Sequence, residues 1–425
     1  MPKKRMTGIS RRSVLKAGAG AAAAATLSGP LSAQRPGTGG WDVIVIGAGV
    51  FGSWTAKRLQ DAGKRVLLVD AWGPAHARAS SGGESRMTRG AYGADAVYTR
   101  MALDSLADWR TLSDQSARDG LPIFHQTGVL FFFPRVEPFL EETMAAHQRL
   151  RLPTELLDTA AMRRRFPQFD FTGIAAGLFE PGFGALMARR GVLTLTDNFV
   201  RAGGDHERAR IAPPDEAGRS LSHVITNRGE RLHAEQFVFA CGPWLGQVFP
   251  ALLGPRIFPT RQEVFFFAPP PGDFEFEEHR MPGWADFNGG DMYYGFPDLE
   301  GRGFKIAHDA HGPPIDPDIG DRTPSTEALA DVRAYMGRRF PRMADRPLSE
   351  SRVCQYENSS NGDFLIDRHP TLANVVLVGA GSGHGFKHGP AVGRYAADLV
   401  MGTLRTPEPR FSLATKAEVQ HRTVH

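Results

Sequence analysis

One stretch narrows what this chain can fold into more than any other: Trp41 to Asp70, WDVIVIGAGVFGSWTAKRLQDAGKRVLLVD. Val43-Ile44-Val45-Ile46 is apolar, β-branched and too short for a globular helix, so it reads as a buried strand. Gly47, Gly49 and Gly52 follow in G-x-G-x-x-G spacing. Phe51, Thr55, Leu59 and Ala62 then recur at helical spacing, and Gly63 is placed to end that helix. A second strand, Val66 to Val69, leads into Asp70, which stands 18 residues after Gly52. Each part has a task in holding a dinucleotide. The first glycine allows a tight turn, the second lets a pyrophosphate approach the backbone, and the third lets helix and strand pack closely. The helix N-terminus faces the phosphates, and Asp70 can accept hydrogen bonds from a ribose. Nicotinamide and flavin dinucleotides both satisfy this pattern.

Ahead of that stretch the chain has a different logic. Ser10-Arg11-Arg12-Ser13-Val14-Leu15-Lys16 precedes an alanine-rich apolar run, Ala17 to Leu27, and then Leu31-Ser32-Ala33. This pattern predicts a twin-arginine signal peptide over 1–33, a linker over 34–40, and a partnership with the twin-arginine export machinery. Such machinery carries folded proteins, and the expected location is periplasmic or otherwise exported. The apolar run is too short and alanine-rich for a stable membrane span, and no later segment is a better candidate. The six basic residues of 1–33, with no acid among them, exceed the whole net charge of +4. The remainder is therefore slightly acidic, and nothing in its charge calls for nucleic acid. Only Cys241 and Cys354 are present in 425 residues, too few for a disulfide framework. No metal site is expected.

The rest of the chain reads as two interleaved domains. Gly-terminated strands of parallel type lie near residues 43, 66, 237 and 375, and antiparallel segments fill the intervals. We expect an α/β fold, with a Rossmann-type cofactor domain from 41–96, 190–250 and 346–415. The intervals 97–189 and 251–345 make an α+β substrate domain built on an antiparallel sheet. Helices are predicted over Tyr98–Leu112, Glu141–Arg151, Thr159–Arg165, Gly191–Ala202, Ser325–Phe340 and Ala391–Met401.

Taken in order, several motifs resemble one family. They are Gly47–Gly52 with Asp70, Ser85-Arg86-Met87-Thr88-Arg89-Gly90-Ala91-Tyr92-Gly93, and Gln126-Thr127-Gly128-Val129-Leu130. Next come Tyr293-Tyr294-Gly295-Phe296-Pro297 with Lys305, and Cys354-Gln355-Tyr356 with Phe364-Leu365-Ile366-Asp367. The last is Gly381-Ser382-Gly383-His384-Gly385-Phe386-Lys387. The chain resembles the D-amino acid oxidase superfamily of flavoproteins, in its monomeric sarcosine oxidase and N-methyltryptophan oxidase branch. The resemblance implies FAD, joined through Cys354 by a thioether to the flavin 8α-methyl, with Arg352 available to favour the thiolate. It implies cofactor contacts from Ser85 and Arg86 and from the backbone N–H groups of Gly383, Gly385 and Lys387. It further implies a substrate carboxylate held by Arg89 and Lys387, Lys305 near the flavin assisting oxygen reduction, and Tyr294 and Tyr356 lining the pocket.

Two departures fall near that pocket. Ser81-Gly82 stands where the family often has a histidine pair, and a histidine expected four residues after the strand lysine is replaced by Asp309, with His308 one position earlier. The expected reaction is FAD-dependent oxidation of an amino acid or N-alkyl amino acid, with hydride passing to flavin N5 and O2 reduced to H2O2. The nearest alternative is a dehydrogenase passing electrons to a quinone or carrier. A flavin-binding protein without catalysis is the other.

Overall fold

The computed structural model describes residues 40–288, 291–310 and 312–420. The predicted signal peptide lies outside them. β1 (Trp41–Ile46), α1 (Val50–Asp61) and β2 (Val66–Asp70) form as the pattern requires. The two strands pair in parallel, Val43 opposite Val66 through Ile46 opposite Val69. All five residues of β2 and the last four of β1 are buried. Such aliphatic side chains contribute about 2 kcal/mol each through burial. β1 is central because apolar residues on both its faces need cover.

The sheet around β1 runs, in order, Leu365–Arg368, Val375–Gly379, Arg231–Phe239, β1, β2 and Asp205–Arg208, with His223–Ile225 paired to Arg231–Phe239. Its central pairings are parallel. Helix Gly389–Met401 crosses α1 closely because Gly393 leaves no room for more: a Cβ there would meet the Trp54 backbone at 2.6 Å. This is the Rossmann-type sheet that the glycine motif predicts.

A larger sheet runs Leu348–Asn358, Phe258–Phe267, Phe304–Asp309, Asp291–Phe296, Gly283–Asn288, Val129–Phe133, Ala176–Glu180 and Glu155–Asp158. Its pairings are antiparallel except between Gly283–Asn288 and Val129–Phe133. Helix Thr326–Arg339 covers it, over a core of Trp284, Phe304, Tyr335 and Phe340. Strand Leu348–Asn358, inside a segment that the sequence reading gives to the cofactor domain, pairs along its length with Phe258–Phe267 in this larger sheet.

The predicted helix over Tyr98–Leu112 extends in the structure from Ala96 to Asp119. Asp95 caps it, accepting the Val97 N–H at 3.2 Å, and its polar last turns show no apolar period that could be read in advance. No helix of the described residues is long and apolar enough to cross a membrane.

Candidate active site

A cavity of about 860 Å³ lies within the described fold. At one end is the glycine turn. Gly47 has φ +107°, and a Cβ on it would meet the Ala240 carbonyl oxygen at 2.2 Å. A Cβ on Gly52 would meet the Gly47 carbonyl oxygen at 1.8 Å, so Gly52 is a packing residue behind the cavity and does not line it. Gly49 differs: the nearest atom to its Cβ would be Ser81 Oγ, at 3.6 Å. Its face is open to the cavity, as a cradle for a close ligand must be. Asp70 also faces the cavity, and its carboxylate accepts the N–H groups of Ala48, Trp72 and Gly73, each at 2.8 Å. It pins the glycine turn as well as offering an acceptor. Ser81, at the departure from the family pattern, accepts the Val50 N–H at the start of α1 at 3.1 Å.

Midway along the cavity, segment 78–86 is tied to strand Leu348–Asn358. Ser80 Oγ donates to the Gln355 carbonyl at 2.8 Å, and Gln355 Nε2 donates to the Arg78 carbonyl at 2.6 Å. This clasp brings Arg86 and Cys354 together: Arg86 Nη2 donates to the Ser80 carbonyl at 2.6 Å and lies 3.5 Å from the sulfur. The sequence reading names Arg352 as the cation for Cys354. In the structure Arg352 is engaged with Glu84, at 3.2 Å, and with Glu350, and the guanidinium on the sulfur is that of Arg86. Lys305 is buried in its strand and donates to the carbonyl and hydroxyl oxygens of Ser85, at 3.0 and 3.2 Å. Burial first, and then Arg86, bring its pKa down to about 7. Ser85 does not line the main cavity; it supports Lys305 from behind.

The far end carries positive charge. Arg89 stacks on the Tyr92 ring, with Cζ 4.0 Å from the centroid, and donates to the Ala91 carbonyl. Lys387 Nζ lies 5.3 Å from the same centroid and donates to the His384 carbonyl at 2.9 Å. Two cations from segments nearly three hundred residues apart thus converge on one ring. Tyr294 and Tyr356 line the wall nearby, and burial raises the pKa of both hydroxyls. Tyr356 donates to Asp309 Oδ1 at 2.8 Å. Strand alternation aims Asp309 at the cavity and turns His308 away, where it stacks on Tyr293 and meets Asp331 at 3.1 Å. Gly383 and Gly385 complete this end; a Cβ on Gly383 would meet the Tyr356 ring at 2.9 Å, and one on Gly385 would meet Gly381 and Phe51 at 2.8 Å.

The profile of the DAO family, described as FAD dependent oxidoreductase, matches residues 42–399. The chain belongs to this family. It is 31% identical to monomeric sarcosine oxidase of Bacillus sp. (strain B-0618) over 378 residues, 85% of this chain and 92% of the relative. It is 30% identical to N-methyl-L-tryptophan oxidase of Salmonella arizonae over 366 residues, 85% and 95% of the two. Among solved structures, L-proline dehydrogenase from P. horikoshii matches with TM-score 0.76 at 20% identity, covering 88% of this chain and 97% of that one. Glycine oxidase from Geobacillus kaustophilus matches with TM-score 0.73 at 19% identity, covering 88% and 98%. These two share the fold. The twin-arginine signal profile matches residues 8–28, and the protein is exported by that route.

The residues of this FAD dependent oxidoreductase fit its cofactor. The open face of Gly49, the glycine loop at Gly383 and Gly385, and the buried carboxyl group of Glu357 all border the same cavity. Burial pushes the Glu357 pKa up to about 7, against the lowering effect of the Ala380 and Gly381 N–H groups. Sequence reasoning missed Glu357 although it adjoins Tyr356, because nothing in a lone glutamate beside a motif signals burial. It also missed the aromatic cluster at the dinucleotide end, where His76 lies 6.3 Å from Trp72 and 5.7 Å from Trp244 between ring centroids. Trp244 comes from a segment far in sequence from Trp72 and His76. No local pattern joins them.

Proposed function

We propose that the protein is an exported oxidase of amino acids or N-alkyl amino acids, with FAD attached through Cys354. The observation that carries this reading is the convergence of Arg89 and Lys387 at one end of the cavity that begins at Gly47–Asp70, with Cys354 and Lys305 between. A carboxylate matches that pair: arginine supplies a planar fork and lysine a compact charge. The relatives named for sarcosine and N-methyl-L-tryptophan support an amine-bearing carboxylate as substrate. Two fixed points on the carboxylate leave the α-carbon little freedom, which is catalysis by orientation. Bound FAD would supply the two-electron acceptor for hydride from that carbon and the route of those electrons to O2 as H2O2, the substrate leaving as an imine that water hydrolyses. Lys305, held by Ser85, supplies a positive charge where oxygen is reduced. We assign 41–96, 190–250 and 346–415 to the cofactor domain, apart from strand Leu348–Asn358, which pairs into the larger sheet, and 97–189 and 251–345 to the substrate domain.

The test is a panel of amino acids and N-methyl amino acids given to the oxidised holoenzyme without air. Bleaching of the flavin by a carboxylate-bearing amine, followed on admitting air by recolouring and stoichiometric peroxide, is the expected result. Recolouring only with an added quinone would replace the oxidase by a dehydrogenase. Bleaching by amines that lack a carboxylate, equally well, would remove Arg89 and Lys387 from the binding site.

A further inference from the structure

Behind the Arg89–Lys387 pair, outside the cavity, lies a carboxyl group that the proposed chemistry does not use. Glu180 ends strand Ala176–Glu180 and is fully buried. Its Oε1 and Oε2 accept the N–H of Gly90, the residue after Arg89, at 3.0 and 3.3 Å. Arg89 in turn donates to the carbonyl of Ala91. The carboxyl group therefore grips the backbone from which the guanidinium projects and to which it folds back. The charged and titratable groups facing Glu180 are Arg89, Lys387 and, from helix Pro138–Arg149, His147. The paired strand contributes apolar Val129.

His147 sets the other side of the carboxyl group. Its Nδ1 shares a hydrogen bond with Thr154 Oγ1 at 2.8 Å, and that hydroxyl lies 3.2 Å from the Leu152 carbonyl. His147 Nε2 lies 3.6 Å from Glu180 Oε1. Burial lowers the His147 pKa and keeps the ring neutral. A neutral imidazole on one side and two cations on the other give Glu180 two environments, one suited to each protonation state.

We propose that Glu180 is the positioning and charge-balancing residue of the carboxylate clamp: a substrate carboxylate and the Glu180 carboxylate compete for the charge of Arg89 and Lys387, so that substrate binding places a proton on Glu180. This inference rests on the reading of Arg89 and Lys387 as the substrate clamp. With the clamp empty, burial raises the Glu180 pKa to about 8, held from rising further by the Gly90 N–H, Arg89 and Lys387. An arriving anion offsets the help of those cations and raises the pKa again. The sign follows. Well below pH 8 Glu180 is already neutral and binding takes up no proton. Above it the proton must be added, and affinity falls by up to about tenfold for each pH unit.

The probes are acetate, butyrate and phenylacetate, which have no amine to titrate, added to the holoenzyme and followed by flavin absorbance and by proton uptake in weak buffer. Near pH 8 to 9 the wild type takes up a proton on binding, and affinity declines with pH. In Glu180→Gln the uptake vanishes and affinity becomes independent of pH. Wild-type binding without uptake overturns the proposal, with no variant needed. An unchanged pH profile in Glu180→Gln also overturns it. Arg89→Gln separates the two readings. If it abolishes probe binding, the clamp stands and the Glu180 results decide alone. If it binds the probes as well as wild type, the clamp reading fails and this inference falls with it.

Discussion

A lysine ammonium ion in a protein interior is stable only when something there needs or holds the charge, and Lys305 is held by two oxygens of one serine. Because burial brings its pKa down to about 7, the ammonium form dominates below that pH and the neutral amine above it. If that charge assists oxygen reduction, reoxidation of the reduced enzyme slows as pH rises through about 7. Lys305→Met should slow it by about a hundredfold below pH 7, with the gap to wild type closing above it, and leave anaerobic flavin reduction near wild type. Stopped-flow measurement of the two half-reactions separates these effects, and equal losses in both would count against the role. The basic residues of the site were legible because each stands in a dense motif: Arg86 and Arg89 among small residues, Lys387 in a glycine loop. The acids were not. Glu180 and Glu357 carry no local mark of burial, and it is burial that changes their chemistry. Asp309 was visible only as a departure from an expected histidine, and strand alternation then decided that it, and not His308, faces the cavity.

At the scale of elements, β1, α1 and β2 were legible because strand, turn and helix lie within one local stretch, each with its own period. The parallel pairing of Gly283–Asn288 with Val129–Phe133 was not, since register across so long an interval leaves no trace in either segment. The three motif glycines also make different demands, which gives a prediction about the turn. Gly52→Ala drives a methyl group into the Gly47 carbonyl and should cost about 3 kcal/mol or more, read as loss of soluble protein or a lowered melting point. Gly49→Ala meets only Ser81 Oγ, at 3.6 Å, with φ −76° that alanine adopts freely. Its apoprotein should melt within a degree or two of wild type, yet bind far less flavin, because the methyl group occupies the approach to the α1 N-terminus. Normal flavin content in Gly49→Ala would mean that the phosphates do not come to that turn.

The molecule as a whole builds its cavity from two sheets that have no strand in common among the described residues. Gly47 and Asp70 belong to the smaller sheet or its first turn, and Cys354 lies on the outer strand of the larger one. A cofactor attached to Cys354 as proposed and seated at the glycine turn would therefore cross-link the two sheets. A ligand that binds only the folded state stabilises it by about 4 kcal/mol when present at a thousand times its Kd, and a tethered ligand is not diluted away. For a chain of this size, that corresponds to a rise in melting temperature of roughly 5 °C. Cys354→Ser breaks the tether without enlarging the side chain. Its flavin should be lost on denaturation and gel filtration, whereas wild-type colour stays with the polypeptide. Diluted well below the free cofactor's Kd, the variant should melt several degrees lower, and excess FAD should restore most of the difference. The wild type should show a single calorimetric transition if the tethered flavin joins both sheets. Colour that stays on denatured Cys354→Ser would place the attachment elsewhere. A melting point unmoved by dilution would mean that the sheets hold together without the flavin's help.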